Sequence, residues 1–148
     1  MTNEAGDDLH GRLSWFKPAQ PSAKYYPDGF IFQSEAIGSA YAAAPGAPAL
    51  NLSGGPLVLS GGDLPGLFTN WLAAGRNNSF TGTNGAKLTI SGSSGLFKGS
   101  FTSPFNSRKI PFSGAVLQKQ GVGRGFFLDA PRSGGVFLGA PPEAASAR

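Results

Sequence analysis

Glycine residues interrupt nearly every apolar run in the second half of the chain, and this spacing restricts the possible folds more than any other feature. Residues 110–128, with the sequence IPFSGAVLQKQGVGRGFFL, are typical. Glycine weakens a strand, because it has no side chain to pack and loses more backbone freedom on folding than other residues. Its repetition therefore indicates strands that must bend sharply or allow another group to approach the backbone closely.

Five short segments between residues 86 and 139 are predicted to be strands, and the first three alternate apolar and polar residues as half-buried strands do. In KLTISG, Leu88 and Ile90 fall on one side, and in LFKGSFTS Phe97 and Phe101 share a side. The segment around Phe112 continues the alternation, RGFFLDA and GGVFLG follow as two further short strands, and turn-forming stretches such as GSSG separate the strands. The pattern predicts an antiparallel meander.

The composition favours an all-β domain with many turns. The chain has 148 residues, of which 23 are Gly and 12 are Pro, and its 12 Phe residues are enough to build a core. Weaker strand candidates precede residue 62, and LFTNWLA, residues 67–73, fits either a strand or a short helix. We expect about 8–12 short strands closed into a barrel or a barrel-like sandwich, because either arrangement protects the strand edges.

The two ends of the sequence differ from the segment between them. Residues 1–11 are acidic and polar, and residues 140–148 are rich in Ala and Pro without periodicity. We predict disordered tails at 1–11 and 140–148 and a single β domain at 12–139.

The motif Phe-x-Gly recurs at residues 80–82, 97–99 and 112–114. In a small barrel, a glycine permits a kink while an aromatic ring on the neighbouring strand covers the exposed backbone. We therefore expect Gly99 and Gly114 to mark bends. The rings expected in the interior are Phe97, Phe101, Phe112, Phe126 and Phe137. A ligand that lies against the sheet is an alternative explanation of the glycines.

The chain also aligns with itself at an offset of 85 residues, where GFIFQ matches GAVLQ and Gly29 falls on Gly114. A sequence rich in Gly and Phe produces such matches by chance. The alternative is an old duplication that produced two similar halves of about four strands each. In that case Gly29 in the first half and Gly114 in the second lie at equivalent bends.

Residues that support catalysis or metal binding are few. There is no Cys, His10 is the only histidine, and the eight carboxylates include no close pair in a segment expected to be rigid. The stretch GVGRGFF lacks the Lys-Ser/Thr ending of a phosphate-binding loop. We expect a protein that is not an enzyme and that uses no cofactor and no metal.

The net charge of +4 comes from 12 basic and 8 acidic residues scattered along the chain. Nucleic-acid surfaces usually concentrate their basic residues on one face, so we expect no specific nucleic-acid partner. No apolar run approaches the length of a membrane span, and the first residues do not resemble a signal peptide. We expect a monomer that does not span a membrane.

Several blocks of the sequence together resemble one family. LFKGSFTSP, IPFSGAVLQKQ, GRGFFL and SGGVFL, preceded by LSWFKPAQPSAKYYPDGF and GSAY, make residues 12–138 resemble a glycine-spaced C-terminal module of large secreted or surface-anchored bacterial proteins. Asp129 stands where that family tends to have Gly. The resemblance implies an extracellular or cell-surface location as part of a larger exported protein, and it attaches no activity to particular residues.

Two classes of function are consistent with these features. The first is a non-catalytic structural or interaction module of a secreted or surface protein, with a protein or glycan partner at the cell surface. The second is a barrel that binds a small ligand or a glycan through exposed aromatic side chains. The candidate binding residues are Trp15, Tyr25, Tyr26 and Trp71. Clustering of these rings on one open face favours the second class, and their burial favours the first.

Overall fold

The computed structural model describes residues 7–139, which form ten β-strands joined by turns and loops. The strands are β1 (Leu9–Lys17), β2 (Phe30–Gly38), β3 (Gly54–Gly61), β4 (Phe68–Ala74), β5 (Ser79–Gly82), β6 (Lys87–Ile90), β7 (Leu96–Thr102), β8 (Lys109–Leu117), β9 (Val122–Asp129) and β10 (Arg132–Leu138). Within this range, no helix has the length and apolar character that crossing a membrane requires.

Strands β3 to β10 form an antiparallel meander in which each strand pairs with the next. The last strand, β10, pairs with β3 and closes the ring, with Leu138 opposite Leu57 and Gly134 opposite Gly61. The predicted all-β fold is therefore confirmed. Of the two predicted arrangements, a barrel or a barrel-like sandwich, the strands form the barrel. Strands β1 and β2 form a separate two-stranded sheet, the hairpin, in which Leu9 is opposite Gly38 and Lys17 is opposite Phe30.

Side chains fill the interior of the barrel, as expected for eight strands. Phe97, Phe101 and Phe112 are buried there, together with Phe127. The rings of Phe101 and Phe127 meet edge to face at 5.7 Å between centroids, an arrangement that the charge distribution of aromatic rings favours. The loop between β2 and β3 adds Ala49 and Leu50 to the same core.

Phe97 and Phe112 each cover a glycine on the neighbouring strand. Phe97 lies opposite Gly114, and Phe112 lies opposite Gly99. A Cβ atom on Gly114 would collide with the Phe97 ring, and one on Gly99 would collide with the Phe112 ring. The glycines of β7 and β8 therefore make room for aromatic rings, which is how Phe-x-Gly contributes to the barrel.

The interior position expected for Phe126 is wrong. Phe126 is 54% exposed on the outer face of β9, and its neighbour Phe127 points inward instead. The interior position expected for Phe137 is also wrong: Phe137 is half-buried on the outer face of β10, and the Arg124 guanidinium lies 5.5 Å from the centre of its ring. The inward residues of β10 are Val136 and Leu138.

The expected N-terminal boundary needs correction, and the structure decides between the two alternatives for LFTNWLA. β1 begins at Leu9, so residues 9–11 belong to a strand and not to the tail proposed for residues 1–11. The proposed tail at 140–148, like residues 1–6, lies outside the described residues. The segment LFTNWLA is not a helix, because Phe68–Ala74 is strand β4.

The structure does not support a duplication at an offset of 85 residues. Residues 12–53 contain the two hairpin strands and a long loop, whereas residues 97–138 contain four strands of the barrel. Gly29 has a φ of 72° in the turn before β2, but Gly114 lies within β8 and has no positive φ. The two glycines are therefore not at equivalent bends, and the self-match reflects composition.

Candidate binding cleft

Tyr26 fastens the tip of the hairpin to the barrel. Its backbone N–H donates to the carbonyl oxygen of Pro131 at 2.9 Å. Its hydroxyl accepts a hydrogen bond from the backbone N–H of Ser133 at 2.9 Å and forms a second one with the Ser133 hydroxyl. The tip is therefore held at the turn between β9 and β10.

The base of the hairpin is fastened at the turn between β8 and β9. Lys119 forms an ion pair with Asp8, and its backbone N–H donates to the Ser39 hydroxyl at 3.1 Å. The Asp8 carboxylate also accepts a hydrogen bond from the backbone N–H of Ala40 at 2.6 Å. The hydrogen bond from Lys119 makes the largest contribution to lowering the pKa of Asp8, and the hydrogen bond from Ala40 makes the next largest. The two attachments leave the middle of the hairpin beside the outer face of β9.

A cleft of about 720 Å³ opens between the hairpin and the barrel. Most of the side chains around it are aromatic or aliphatic. The lining residues are Trp15, Lys17, Tyr25, Tyr26, Phe30, Phe32, Phe126, Leu128 and Ser133. This volume is within the range of small-molecule binding sites.

The hairpin wall of the cleft is a set of aromatic rings in mutual contact. Trp15 lies opposite Phe32 in the register, and their rings stack at 6.3 Å with an angle of 19° between planes. Phe30 contacts Trp15 edge to face at 6.2 Å and Tyr26 at 4.9 Å. Such aromatic contacts are favourable, so they stabilise this arrangement of the wall.

The barrel wall of the cleft comes from the outer face of β9. Phe126 and Leu128 are two residues apart, so both point away from the interior. They are 54% and 44% exposed, and Trp15 across the cleft is 59% exposed. Apolar side chains thus face one another across the cleft without filling it.

The structure brings together three of the four side chains that the sequence singled out for binding. Trp15, Tyr25 and Tyr26 line the cleft, whereas Trp71 lies on β4, is 66% exposed and does not line it. The sequence did not single out the lining residues Lys17, Phe30, Phe32, Leu128 and Ser133, and Phe126 was expected in the interior. One signal was present in the sequence: FIF, residues 30–32, is apolar on both faces of its strand, which indicates contacts on each side.

The polar groups of the cleft lie at the hairpin tip. The Lys17 ammonium lines the cleft and donates a hydrogen bond to the carbonyl oxygen of Tyr26 at 3.0 Å. The hydroxyls of Tyr26 and Ser133 are hydrogen-bonded to each other at the same end. The remaining lining residues are aromatic rings and Leu128, which lies opposite Ser133 in the register.

The acidic residues and the histidine of the described chain lie outside the cleft. Its lining contains no carboxylate, histidine or cysteine. His10 is exposed on β1 beside Arg12 and Glu35. Asp129 ends β9 without a positive φ and is buried, with one carboxylate oxygen 3.0 Å from the Arg108 guanidinium. In residues 7–139, no three His, Cys, Asp or Glu side chains are grouped so that they could hold a metal ion.

A second cleft, of about 650 Å³, lies under the loop that precedes β3. Its lining consists mainly of Ala, Gly, Pro and Asn residues and contains no charged side chain, and its one aromatic ring, Phe80, is buried in the core. It therefore presents few groups that could orient a ligand. The aromatic cleft is the stronger candidate for a binding site.

No protein-family model matches this chain, and neither a curated protein nor a solved structure shows significant similarity to it.

Proposed function

We propose that this protein is a non-catalytic binding module and that the cleft between the hairpin and the barrel holds a small, largely apolar ligand. One observation carries the proposal: aromatic and aliphatic side chains from two sheets face each other across about 720 Å³ and remain half exposed. Large apolar surfaces that remain exposed in a concave site usually mark a binding function.

The chemistry of the lining favours an apolar ligand over a glycan. Sugars bind by stacking on an aromatic ring while polar side chains pair with their many hydroxyls. Here the polar side-chain groups are the Lys17 ammonium and the hydroxyls of Ser133, Tyr25 and Tyr26, against a majority of purely apolar side chains. A sugar lying between these walls would bury hydroxyls against apolar side chains that offer no hydrogen bond, at a cost in free energy for each buried hydroxyl.

A second candidate function is that of a protein-interaction module. The outward face of the hairpin exposes Phe16 and Ile31, which are opposite each other in the register and 65% and 76% exposed. Contact with a protein at that face would remove them from water. The resemblance to modules of secreted and surface proteins motivates the further proposal that the protein acts outside the cell.

The neutral fluorescent probe N-phenyl-1-naphthylamine tests the binding proposal, because its emission rises when it enters an apolar site. We expect saturable binding of one probe per chain. Trp15→Ala and Phe126→Ala, which alter opposite walls, should each weaken binding, whereas Trp71→Ala should leave it unchanged. Trp71 is the matched control, because it is a similarly exposed tryptophan outside the cleft. Absence of saturation, or equal effects of Trp15→Ala and Trp71→Ala, contradicts the proposal.

A further inference from the structure

The position of Lys17 adds a chemical requirement to the ligand. Lys17 is the last residue of β1 and lies opposite Phe30, so its side chain leaves the hairpin on the face that lines the cleft. An ammonium group has three N–H donors. One of them is used by the Tyr26 carbonyl oxygen, and two remain for a ligand.

No carboxylate neutralises Lys17 among residues 7–139, where the only ion pairs are Arg108–Asp129 and Lys119–Asp8. Asp28 borders a neighbouring depression with Lys17 but forms no ion pair with it. Lys24, which lies 5.3 Å from the centre of the Tyr25 ring, adds a second positive charge near the cleft. The charge at the tip end is therefore positive.

A hydroxyl donor lies at the same end. In the hydrogen bond between Tyr26 and Ser133, one hydroxyl donates its hydrogen and the other accepts. The second contact between these residues uses the backbone N–H of Ser133. Whichever hydroxyl accepts keeps its own hydrogen, which it can donate to a ligand. Ammonium and hydroxyl donors together suit an anionic oxygen.

The rest of the cleft suits an apolar chain or ring system. Trp15, Phe32, Phe126 and Leu128 supply its apolar walls, and the face of the hairpin that carries Lys17 and Trp15 continues to Leu13, which is 55% exposed. These walls face each other across a groove, so a single molecule can contact both. A flat bilayer surface would not contact both walls at once.

We infer that the cleft binds a free amphiphile with one anionic group, such as a long-chain carboxylate, whose anionic end pairs with Lys17 and whose apolar part lies between Trp15 and Phe126. This inference rests on the proposed binding function and adds the charge and orientation of the ligand. The attraction between Lys17 and an anion is stronger beside apolar walls than in open water, because the local dielectric constant is lower.

Two probes with the same aromatic framework isolate the role of the charge. N-phenyl-1-naphthylamine is neutral, and 1-anilino-8-naphthalenesulfonate carries one sulfonate on that framework. We expect Lys17→Met to raise the dissociation constant of the sulfonate about tenfold, the effect of losing a hydrogen-bonded charge pair, and to leave the neutral probe nearly unchanged. Lys17→Arg, which keeps the charge, should retain most of the affinity. Lys98→Met, at an exposed lysine on β7, is the control.

The outcomes separate this inference from the proposed function. If Lys17→Met changes both probes equally, the anionic requirement is wrong while binding in the cleft stands. If neither probe saturates with the unaltered protein, the proposed function itself fails. Dodecanoate should displace the sulfonate probe in competition. Sedimentation of the protein with phosphatidylglycerol vesicles, abolished by Lys17→Met, would overturn the assignment to a free amphiphile.

Discussion

Replacement of Gly114 by alanine tests the argument that glycine in β8 makes room for an aromatic ring. A Cβ atom at this position would collide with the Phe97 ring and with the carbonyl oxygen of Arg124, and it would lie 2.7 Å from the Cα atom of Gly125. Two of these three groups belong to the backbone of β9 and cannot rotate away. The added methyl group must therefore separate β8 from β9 or expel the ring from the core.

The expected cost follows from the strain of overfilling a packed interior, about 1–3 kcal/mol for one added methylene. Because backbone atoms lie in the way, we expect Gly114→Ala to be near the upper end, about 3 kcal/mol. Gly135 is the matched control on β10, since its Cβ would lie 3.5 Å from the nearest atom, the Ser60 hydroxyl oxygen. Gly135→Ala should be neutral or slightly stabilising, because alanine reduces the freedom of the unfolded chain by about 0.4–1 kcal/mol. Neither glycine has a positive φ.

Equilibrium unfolding in urea, followed by circular dichroism, measures both changes. With a slope of about 1–3 kcal/mol per molar urea, a 3 kcal/mol loss moves the midpoint by about 1 M or more. Equal midpoints for Gly114→Ala and Gly135→Ala would refute the argument. So would a Gly114→Ala protein whose crystal structure shows the Phe97 ring and the spacing of β8 and β9 unchanged.

Two further predictions concern the core and the base of the hairpin. Phe97→Ala should lose about 3–5 kcal/mol of unfolding free energy, the usual cost of removing a buried aromatic ring. Phe126→Ala should lose under about 1 kcal/mol, because its ring is half exposed. In urea unfolding, a loss for Phe126→Ala as large as that for Phe97→Ala would contradict the outward orientation of Phe126. Asp8 should titrate below its ordinary pKa of 3.8 in a carboxyl NMR titration. Because the pKa of Asp8 is lower in the folded state, the interactions of its carboxylate stabilise the fold at neutral pH. This stabilisation is lost as the pH falls from 3.8 through the folded-state pKa. Lys119→Met should return the titration toward 3.8, and an unchanged titration would show that Lys119 is not the cause.

The barrel could be predicted from the sequence because most of its strands have one polar and one apolar face. In β6, Leu88 and Ile90 are buried while Lys87 and Thr89 are exposed, which is the pattern in the sequence. In β9, Phe126 and Leu128 are apolar on the outer face because they line the cleft. With apolar residues on both faces, alternation cannot tell which of two adjacent phenylalanines points inward.

The cleft could be predicted only in part, because it joins segments that are far apart in the chain. Residue type alone singled out Trp15, Tyr25 and Tyr26, since their rings combine a large apolar surface with a polar atom. The same criterion also selected Trp71, which lies elsewhere on the barrel. Nothing local in the sequence indicates that the hairpin is fastened along β9, because the fastening depends on single contacts such as the one between Tyr26 and Ser133.

Closure of the ring by β10 and β3 has a consequence for synthesis on the ribosome. The hairpin β1–β2 and the successive pairs from β3 onward form between neighbouring segments as they emerge, but Leu57 must wait for Leu138 to be translated. Until then, β3 has an open edge in an apolar sequence, PLVLS, that can pair with other chains. We therefore expect the nascent chain to be prone to aggregation until β10 leaves the ribosome, because pairing of β10 covers the open edge of β3 and that of β9.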